Sequence, residues 1–136
     1  MDLQEMNRTV IEEFHSNAGE VGGNFAGMPL LLLNTVGAKS GKAYTKPLAY
    51  LTDGDRYVIF ASFAGSDQHP PWYYNLLATP DVEIEVGTKR IKAKAAVAAE
   101  PERTTLYAKI AAAIPVFGDY QAKAGRTIPV FILTPA

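Results

Sequence analysis

Residues 46–62 read "KPLAYLTDGDRYVIFAS", and this stretch decides the fold. Two largely apolar runs flank Asp53-Gly54, a dipeptide that is typical of the tight turn between antiparallel strands. The stretch therefore predicts a β-hairpin. A second hairpin is predicted over residues 81–100, where apolar and acidic residues alternate before a turn near Gly87. The acidic side chains at positions 81, 83 and 85 are expected to form a solvated face.

The remaining chain supplies two more strands and the helices. Apolar runs over residues 30–36 and 128–135 predict buried strands. Helical spacing predicts a helix over residues 7–17, capped by Asn7. Prolines open two further predicted helices, over residues 70–78 and 101–115, and residues 117–127 are expected to form a short helix or loop. Hairpins without strand–helix alternation predict an α+β fold, mainly β, with an antiparallel barrel flanked by helices, and disfavour a Rossmann sheet.

Composition excludes several classes of function. The 136 residues are 48% hydrophobic, which suits one domain with one core, and the formal net charge of −1 argues against nucleic acid as a partner. The chain has no cysteine, and His15 and His69 lie far apart, so no metal site is predicted. No apolar run is long enough to span a membrane. The expected location is the cytoplasm, and contact with a membrane surface is left open.

A basic stretch, "GAKSGKAYTKPLAY" at residues 37–50, is the first candidate site. Its glycines allow backbone N–H groups to turn toward a ligand, while Lys39, Ser40 and Lys42 add charge and a hydroxyl group. Lys46 places a further ammonium group nearby. This pattern favours an anion site, with an ordinary solvent-exposed turn as the alternative.

Aromatic and small residues form the second candidate site, in "FASFAGSDQHPPWYYNL" at residues 60–76. The consecutive Trp72, Tyr73 and Tyr74 point in different directions on a helix, so they cannot all enter one core, and at least one is expected at a surface or a pocket wall. Tyr120, near the C-terminal strand, carries a hydroxyl that is suited to donate a hydrogen bond or a proton. Ordinary packing is the alternative for each of these aromatic residues.

These stretches together resemble the deazaflavin-dependent nitroreductase family. The similarity runs from about Asn7 to Pro135 and rests on "TVGAKSGKAYTKPLAY", "DGDRYVIFASFAG", "HPPWYYNLLATPDVEIEVG" and "IPVFILTP". It implies a split β-barrel that binds coenzyme F-420, an 8-hydroxy-5-deazaflavin, and transfers hydride to an enone, quinone or nitroaromatic acceptor. It also implies one domain over residues 1–136, in which residues 1–28 form an N-terminal helix and a glycine-rich lid containing Gly22 and Gly23.

The resemblance also assigns roles to individual residues. Lys39 and Ser40 would hold the phosphate of the cofactor, and Ser62 and Tyr120 would act on the acceptor as catalytic residues. The cofactor-binding residues that it implies are Ala38, Lys39, Ser40, Tyr44, Thr45, Lys46, Pro47, Leu48, Ala49, Phe60, Ala61, Ser62, Phe63, Pro71, Trp72, Tyr73, Tyr74 and Asn75.

One position departs from the family pattern. Many members have arginine where this chain has Tyr44, and tyrosine cannot grip a phosphate with two parallel hydrogen bonds. Lys46, two residues on along an extended strand, is expected to compensate as a point charge. The alternatives are an FMN- or haem-binding protein on the same barrel and a non-catalytic deazaflavin carrier. The physiological acceptor and the oligomeric state are left open.

Overall fold

The computed structural model describes residues 3–17 and 29–136, with side chains from residue 8 onward. The predicted glycine-rich lid, with Gly22 and Gly23, lies outside these ranges. The helices are α1 (Leu3–Ser16), α2 (Pro71–Ala78), α3 (Glu102–Ala113) and α4 (Val116–Ala124). The strands are β1 (Leu30–Val36), β2 (Ala43–Asp53), β3 (Arg56–Phe60), β4 (Asp81–Val86), β5 (Lys89–Val97) and β6 (Val130–Pro135), and a 3-10 turn spans Phe63–Gly65.

The strands close into an antiparallel barrel in the order β1-β2-β3-β6-β5-β4, and β4 pairs back onto β1. Both predicted hairpins are confirmed, because Asp53 pairs with Arg56 across the first turn and Val86 pairs with Lys89 across the second. The predicted antiparallel barrel with flanking helices is confirmed as well. Closure pairs every strand on both sides, so the barrel has no open edge.

Strand β1 is buried on both faces, which explains why its apolar residues run continuously. Leu31 and Leu33 face the barrel interior, where α2 adds Trp72 and Leu76 to the same core. The other face of β1, with Leu30 and Leu32, packs under α1, whose Val10 and Phe14 cover it. A separate core lies between β3, β6 and the helices α3 and α4.

Helix α1 begins earlier than the sequence pattern indicated. The prediction that Asn7 caps the helix is wrong, because α1 starts at Leu3 and Asn7 lies inside it. The preceding residues include leucine, glutamine, glutamate and methionine, which are good helix formers and contain no breaker. Within the described ranges, no helix is long and apolar enough to cross a bilayer.

A polar cluster joins α1 to the barrel wall. Glu85 on β4 is only 8% exposed, and its carboxylate contacts His15 Nε2 at 2.9 Å and accepts a hydrogen bond from Asn34 Nδ2 at 3.1 Å. Burial acts to raise the pKa of Glu85, but the hydrogen bonds and the charge of Arg90 outweigh it and bring the pKa below its usual value. The prediction of a solvated acidic face is therefore wrong at Glu85, because α1 covers this part of β4.

Gly65 is held against the backbone of α4, and this contact predicts a large effect of substitution. Its φ is +78°, and a Cβ at this position would lie 3.1 Å from both Cα and O of Tyr120. We expect Gly65→Ala to lower the free energy of unfolding by roughly 2–4 kcal/mol, from backbone strain and a contact that cannot relax. Urea unfolding measures this change.

Gly54 provides the matched control. Its φ is +65°, but a Cβ there would have no neighbour within 4 Å. Gly54→Ala should therefore show only the backbone strain, about 1–2 kcal/mol. Equal losses for the two variants would contradict a close approach of the turn to α4.

Candidate active site

A large pocket opens between α1, strand β2, the end of β3, and helices α2 and α4. Its volume is about 1570 Å³, and its surface is mostly apolar. The lining residues are Arg8, Ile11, Glu12, Leu30, Gly37, Ala38, Lys39, Ser40, Tyr44, Thr45, Lys46, Pro47, Leu48, Ala49, Phe60, Ser62, Phe63, Ala64, Pro70, Pro71, Trp72, Tyr74, Asn75, Val116, Phe117 and Tyr120. The pocket thus brings together both candidate sites found in the sequence, and Tyr120 with them.

The loop between β1 and β2, residues 37–42, forms the basic end of the pocket and is called the anion loop below. Asn75 of α2 holds the anion loop in place, because the Asn75 Oδ1 atom accepts a hydrogen bond from the Ala38 N–H at 2.9 Å. The Nδ2 group of Asn75 donates to Thr35 Oγ1 at 3.2 Å, and the Asn75 side chain is buried. One amide therefore ties the anion loop to α2 and to β1.

Local contacts shape the anion loop around two glycines. Gly41 has a φ of +70°, and Gly37 donates its N–H to the Lys42 carbonyl at 2.8 Å. A Cβ at Gly37 would lie 2.5 Å from Ser40 Oγ and 2.9 Å from the Tyr44 ring, so a larger residue there would require both side chains to move. Ser40 Oγ accepts a hydrogen bond from the Lys42 N–H at 3.2 Å and lies 3.4 Å from Tyr44 Oη. Tyr44 therefore packs on this loop while half of its surface stays exposed.

Lys46 is the half-buried cation of the pocket. It pairs with Leu33 across the β1–β2 ladder, so the two side chains share a face of the sheet. Burial lowers the pKa of Lys46 from its ordinary value. Among the residues with described side chains, no carboxylate lies within 4.0 Å of the ammonium groups of Lys39, Lys42 or Lys46.

As predicted, the consecutive aromatic residues of α2 do not all enter one core, because Trp72 and Tyr73 pack on the barrel core and Tyr74 does not. Trp72 is buried in the barrel core, and Tyr74 is 50% exposed at the pocket rim. Tyr73 lies behind the pocket, stacked on His69 with ring centroids 4.1 Å apart and edge-on to Phe131. The helix thus offers the pocket one buried indole and one exposed phenol.

His15 and His69 both contact residues outside the pocket lining. The ring of His15 contacts Glu85, and His69 Nδ1 lies 3.2 Å from an Nη atom of Arg126. Burial and the Arg126 charge lower the pKa of His69. Neither histidine lines the pocket, and no group of three potential metal ligands occurs in the described part of the chain.

Most residues assigned from the family resemblance line this pocket, including Ser62 and Tyr120. The exceptions are Tyr73 and Ala61, which is fully buried and donates its N–H to the Pro129 carbonyl at 2.9 Å. The sequence did not indicate the wall residues on α1 or at the start of α4, namely Arg8, Ile11, Glu12, Val116 and Phe117. Helical spacing marked α1 as amphipathic, but it carried no signal for a ligand on that face.

Comparison with known proteins gives the family. The model of the family described as "F420H(2)-dependent quinone reductase" matches residues 5–135. An F420H(2)-dependent quinone reductase of Mycobacterium tuberculosis is 39% identical over 125 residues, which cover 89% of this chain and 84% of that protein.

Two solved structures are also similar to this chain. A structure described as an F420-H2 dependent reductase superposes with a TM-score of 0.71 at 37% identity, over 77% of this chain and 93% of the other. A second, described as a domain-swapped dimer, gives a TM-score of 0.73 at 33% identity, over 96% of each chain. With a family match over almost its whole length, the chain belongs to the F420H(2)-dependent quinone reductase family.

Proposed function

We propose that this protein is an oxidoreductase that uses the pocket to transfer hydride from reduced coenzyme F-420 to a small electron-poor acceptor of the quinone class. The observation that carries the proposal is that one pocket joins a wide apolar wall to lysines that have no carboxylate partner among the described side chains. Membership of the family agrees with the enzyme class and the cofactor that the sequence resemblance implied.

The basic end suits the anionic part of the cofactor. Lys39 and Ser40 lie on the exposed surface of the anion loop, and Lys46 lies half-buried beside it. An anion bound here would compensate the desolvation that lowers the pKa of Lys46. The phosphate and acidic tail of coenzyme F-420 supply such an anion, and Lys46 takes the place of the arginine that Tyr44 replaces.

The apolar part suits a flat ring together with an acceptor. Phe60, Pro71 and Trp72 form one stretch of wall, with Phe63 and Tyr74 exposed at its rim. Pockets for a single small ligand have volumes of about 300–1,000 Å³. The larger volume of this pocket, about 1570 Å³, leaves room for a cofactor ring and an acceptor side by side.

The side chains Ser62 and Tyr120 carry the hydroxyl groups suited to the acceptor. When bound, the reduced deazaflavin supplies the hydride. The chain supplies the positioning of the two reactants and hydrogen-bond donors to the acceptor oxygen on which charge develops. Ser62 and Tyr120 both line the pocket, and Tyr120 packs its ring edge-on to Phe117.

The two alternative cofactors, haem and FMN, are not equally compatible with the pocket. Haem iron most often takes a histidine ligand, and neither His15 nor His69 lines the pocket. FMN has a smaller anionic group and stays as the competitor in the binding test. Enones and nitroaromatics as acceptors and contact with a membrane surface stay predictions, and the oligomeric state stays open.

Binding and turnover of the wild-type protein test the proposed function. We expect oxidised coenzyme F-420 to bind, measured by its fluorescence, and to bind more tightly than FMN at equal ionic strength. Mixing protein, reduced cofactor and a soluble benzoquinone or naphthoquinone should regenerate the oxidised absorbance faster than the same mixture without protein. Binding without turnover would indicate a carrier, and tighter binding of FMN would refute the choice of cofactor.

Lys46 and Tyr44 can be tested as a pair. Loss of a charged hydrogen-bond donor to the cofactor predicts that Lys46→Met raises the Kd for coenzyme F-420 by about tenfold. Adding Tyr44→Arg to Lys46→Met should restore most of the affinity. Lys109→Met, on the exposed side of α3, is the matched control and should leave the Kd unchanged.

The difference in cofactor affinity between wild type and Lys46→Met should depend on pH. Since burial lowers the pKa of Lys46, its ammonium group loses its proton at a lower pH than an exposed lysine. The affinity advantage of wild type over Lys46→Met should be full below the pKa of Lys46 in the free protein and should decline as the pH rises above it, until it is lost above the pKa in the complex, which the bound anion raises. An advantage that stays undiminished up to the pH at which exposed lysines titrate would contradict the role of this charge.

Tyr120 is expected to act on the acceptor rather than on the fold. Tyr120→Phe should lower kcat for a quinone by about tenfold to a hundredfold, with little change in the Kd for the cofactor. Tyr107 is the matched control, because its buried hydroxyl donates to the Phe117 carbonyl at 2.7 Å and burial raises its pKa to about 12. Tyr107→Phe should reduce stability by about 1–3 kcal/mol without a change in kcat. An unchanged kcat in Tyr120→Phe would exclude a catalytic role for its hydroxyl.

A further inference from the structure

Arg126 lies behind the pocket wall and contacts one loop with most of its guanidinium group. This loop, residues 61–69, connects β3 to α2 and is called the pocket turn below. Arg126 donates to the carbonyl oxygens of Ser66 (3.0 Å), Ala61 (3.2 Å), Ser62 (3.2 Å) and Gln68 (3.0 Å), and its Nη1 lies 3.2 Å from His69 Nδ1. One side chain therefore ties both ends of the loop together.

The pocket turn holds a backbone conformation that needs support. Phe63 and Ala64 have φ values of +46° and +53°, in the left-handed region that residues with a Cβ rarely adopt. Each such residue costs about 1–2 kcal/mol, so the surrounding contacts must impose the conformation. The contacts of Arg126 supply that support on one side, and the approach of Gly65 to the α4 backbone supplies it on the other.

The part of the loop that Arg126 holds is also part of the pocket. Ser62, Phe63 and Ala64 line it, whereas Arg126 does not. Because the carbonyls of Ala61 and Ser62 both point to Arg126, the peptide planes on each side of Ser62 are fixed. The direction of the Ser62 and Phe63 side chains from the wall follows from those planes.

The partners of Arg126 distinguish it from arginines that form surface ion pairs. Arg56 and Arg90 contact carboxylates, whereas no carboxylate with a described side chain lies within 4.0 Å of Arg126. The planar guanidinium group of Arg126 donates hydrogen bonds to backbone oxygens instead, and the compact ammonium group of lysine cannot reproduce that geometry. Arg103 resembles it, since it donates to the Ile128 carbonyl at 2.9 Å and to Gln121 at 2.5 Å, but it does not contact the pocket turn.

We propose that Arg126 is a positioning residue, which holds Ser62 and Phe63 in the conformation of the pocket wall that accepts the cofactor ring and the acceptor. The inference rests on the proposed function and adds to it a residue outside the pocket lining. Because Arg126 is proposed to align the pocket wall, replacing it should lower kcat and ligand affinity by more than its effect on stability explains.

The test compares Arg126→Ala and Arg126→Lys with Arg103→Ala, which removes a similar set of hydrogen bonds beside α4. All variants are assayed at one temperature, well below the lowest Tm among them, so that each is almost fully folded. Three quantities are measured: the Kd for oxidised coenzyme F-420, kcat and KM for a soluble quinone at saturating cofactor, and amide hydrogen exchange of residues 61–69 in the free protein.

We expect Arg126→Ala to lower kcat/KM by about tenfold or more, as misplacement of a binding wall does, and to speed exchange in the pocket turn. Arg126→Lys should fall between Arg126→Ala and wild type and serves as the main variant if Arg126→Ala does not fold. Arg103→Ala should keep kcat/KM and the exchange of residues 61–69 close to wild type, even with an equal loss of Tm.

The outcomes separate this inference from the proposed function. If wild type binds and turns over but the Arg126 variants match Arg103→Ala, the positioning role is refuted and the proposed function stands. Faster exchange without any change in Kd or kcat makes Arg126 purely structural and also refutes it. If wild type neither binds coenzyme F-420 nor reduces a quinone, the proposed function is refuted, and the inference with it.

Discussion

Pairing of β1 with both β2 and β4 is the constraint on which the rest of the molecule depends. It closes the barrel and buries β1 on both faces, so one side of the strand must be covered by the barrel interior and the other by a helix. Helix α1 meets that requirement and in doing so becomes a wall of the pocket. The same coverage converts Glu85 from a surface carboxylate into a buried one, which His15 and Asn34 then satisfy.

The pocket combines features that add little to folding. Lysines with no carboxylate partner in the described part of the chain, a half-exposed tyrosine and phenylalanine, and two left-handed residues with a Cβ would each be unfavourable in a purely structural role. Their concentration around one opening separates it from the remaining surface, where Arg90 pairs with Glu83 and Arg56 with Asp53 and Glu102. Local departures of this kind are expected where a fold is adapted to hold a ligand.

Sequence patterns predicted what depends on neighbours along the chain. The turn at Asp53-Gly54, the proline-led α2 and the apolar run of β1 are local signals, and the barrel followed from them. Glu85 was misread because its burial depends on α1, some 70 residues away. Arg126 gave only a weak signal, since its partners lie about 60 residues upstream and are mostly backbone oxygens, which no side-chain motif reports. The resemblance named most pocket residues and implied that the first helix covers the pocket, but it named neither Val116 nor Phe117 of α4.

Asn75 gives the two ends of the pocket a common support. Its amide bonds to the anion loop at Ala38 and to β1 at Thr35, while its own helix carries Trp72 and Tyr74 along the pocket wall. The loop and the wall therefore cannot relax independently of each other. Occupation of either end reduces the conformational freedom left at the other, so ligand fragments that fill the two ends should bind with positive cooperativity. In this arrangement the tail of a cofactor would act on the ring end as an allosteric effector within a single binding site.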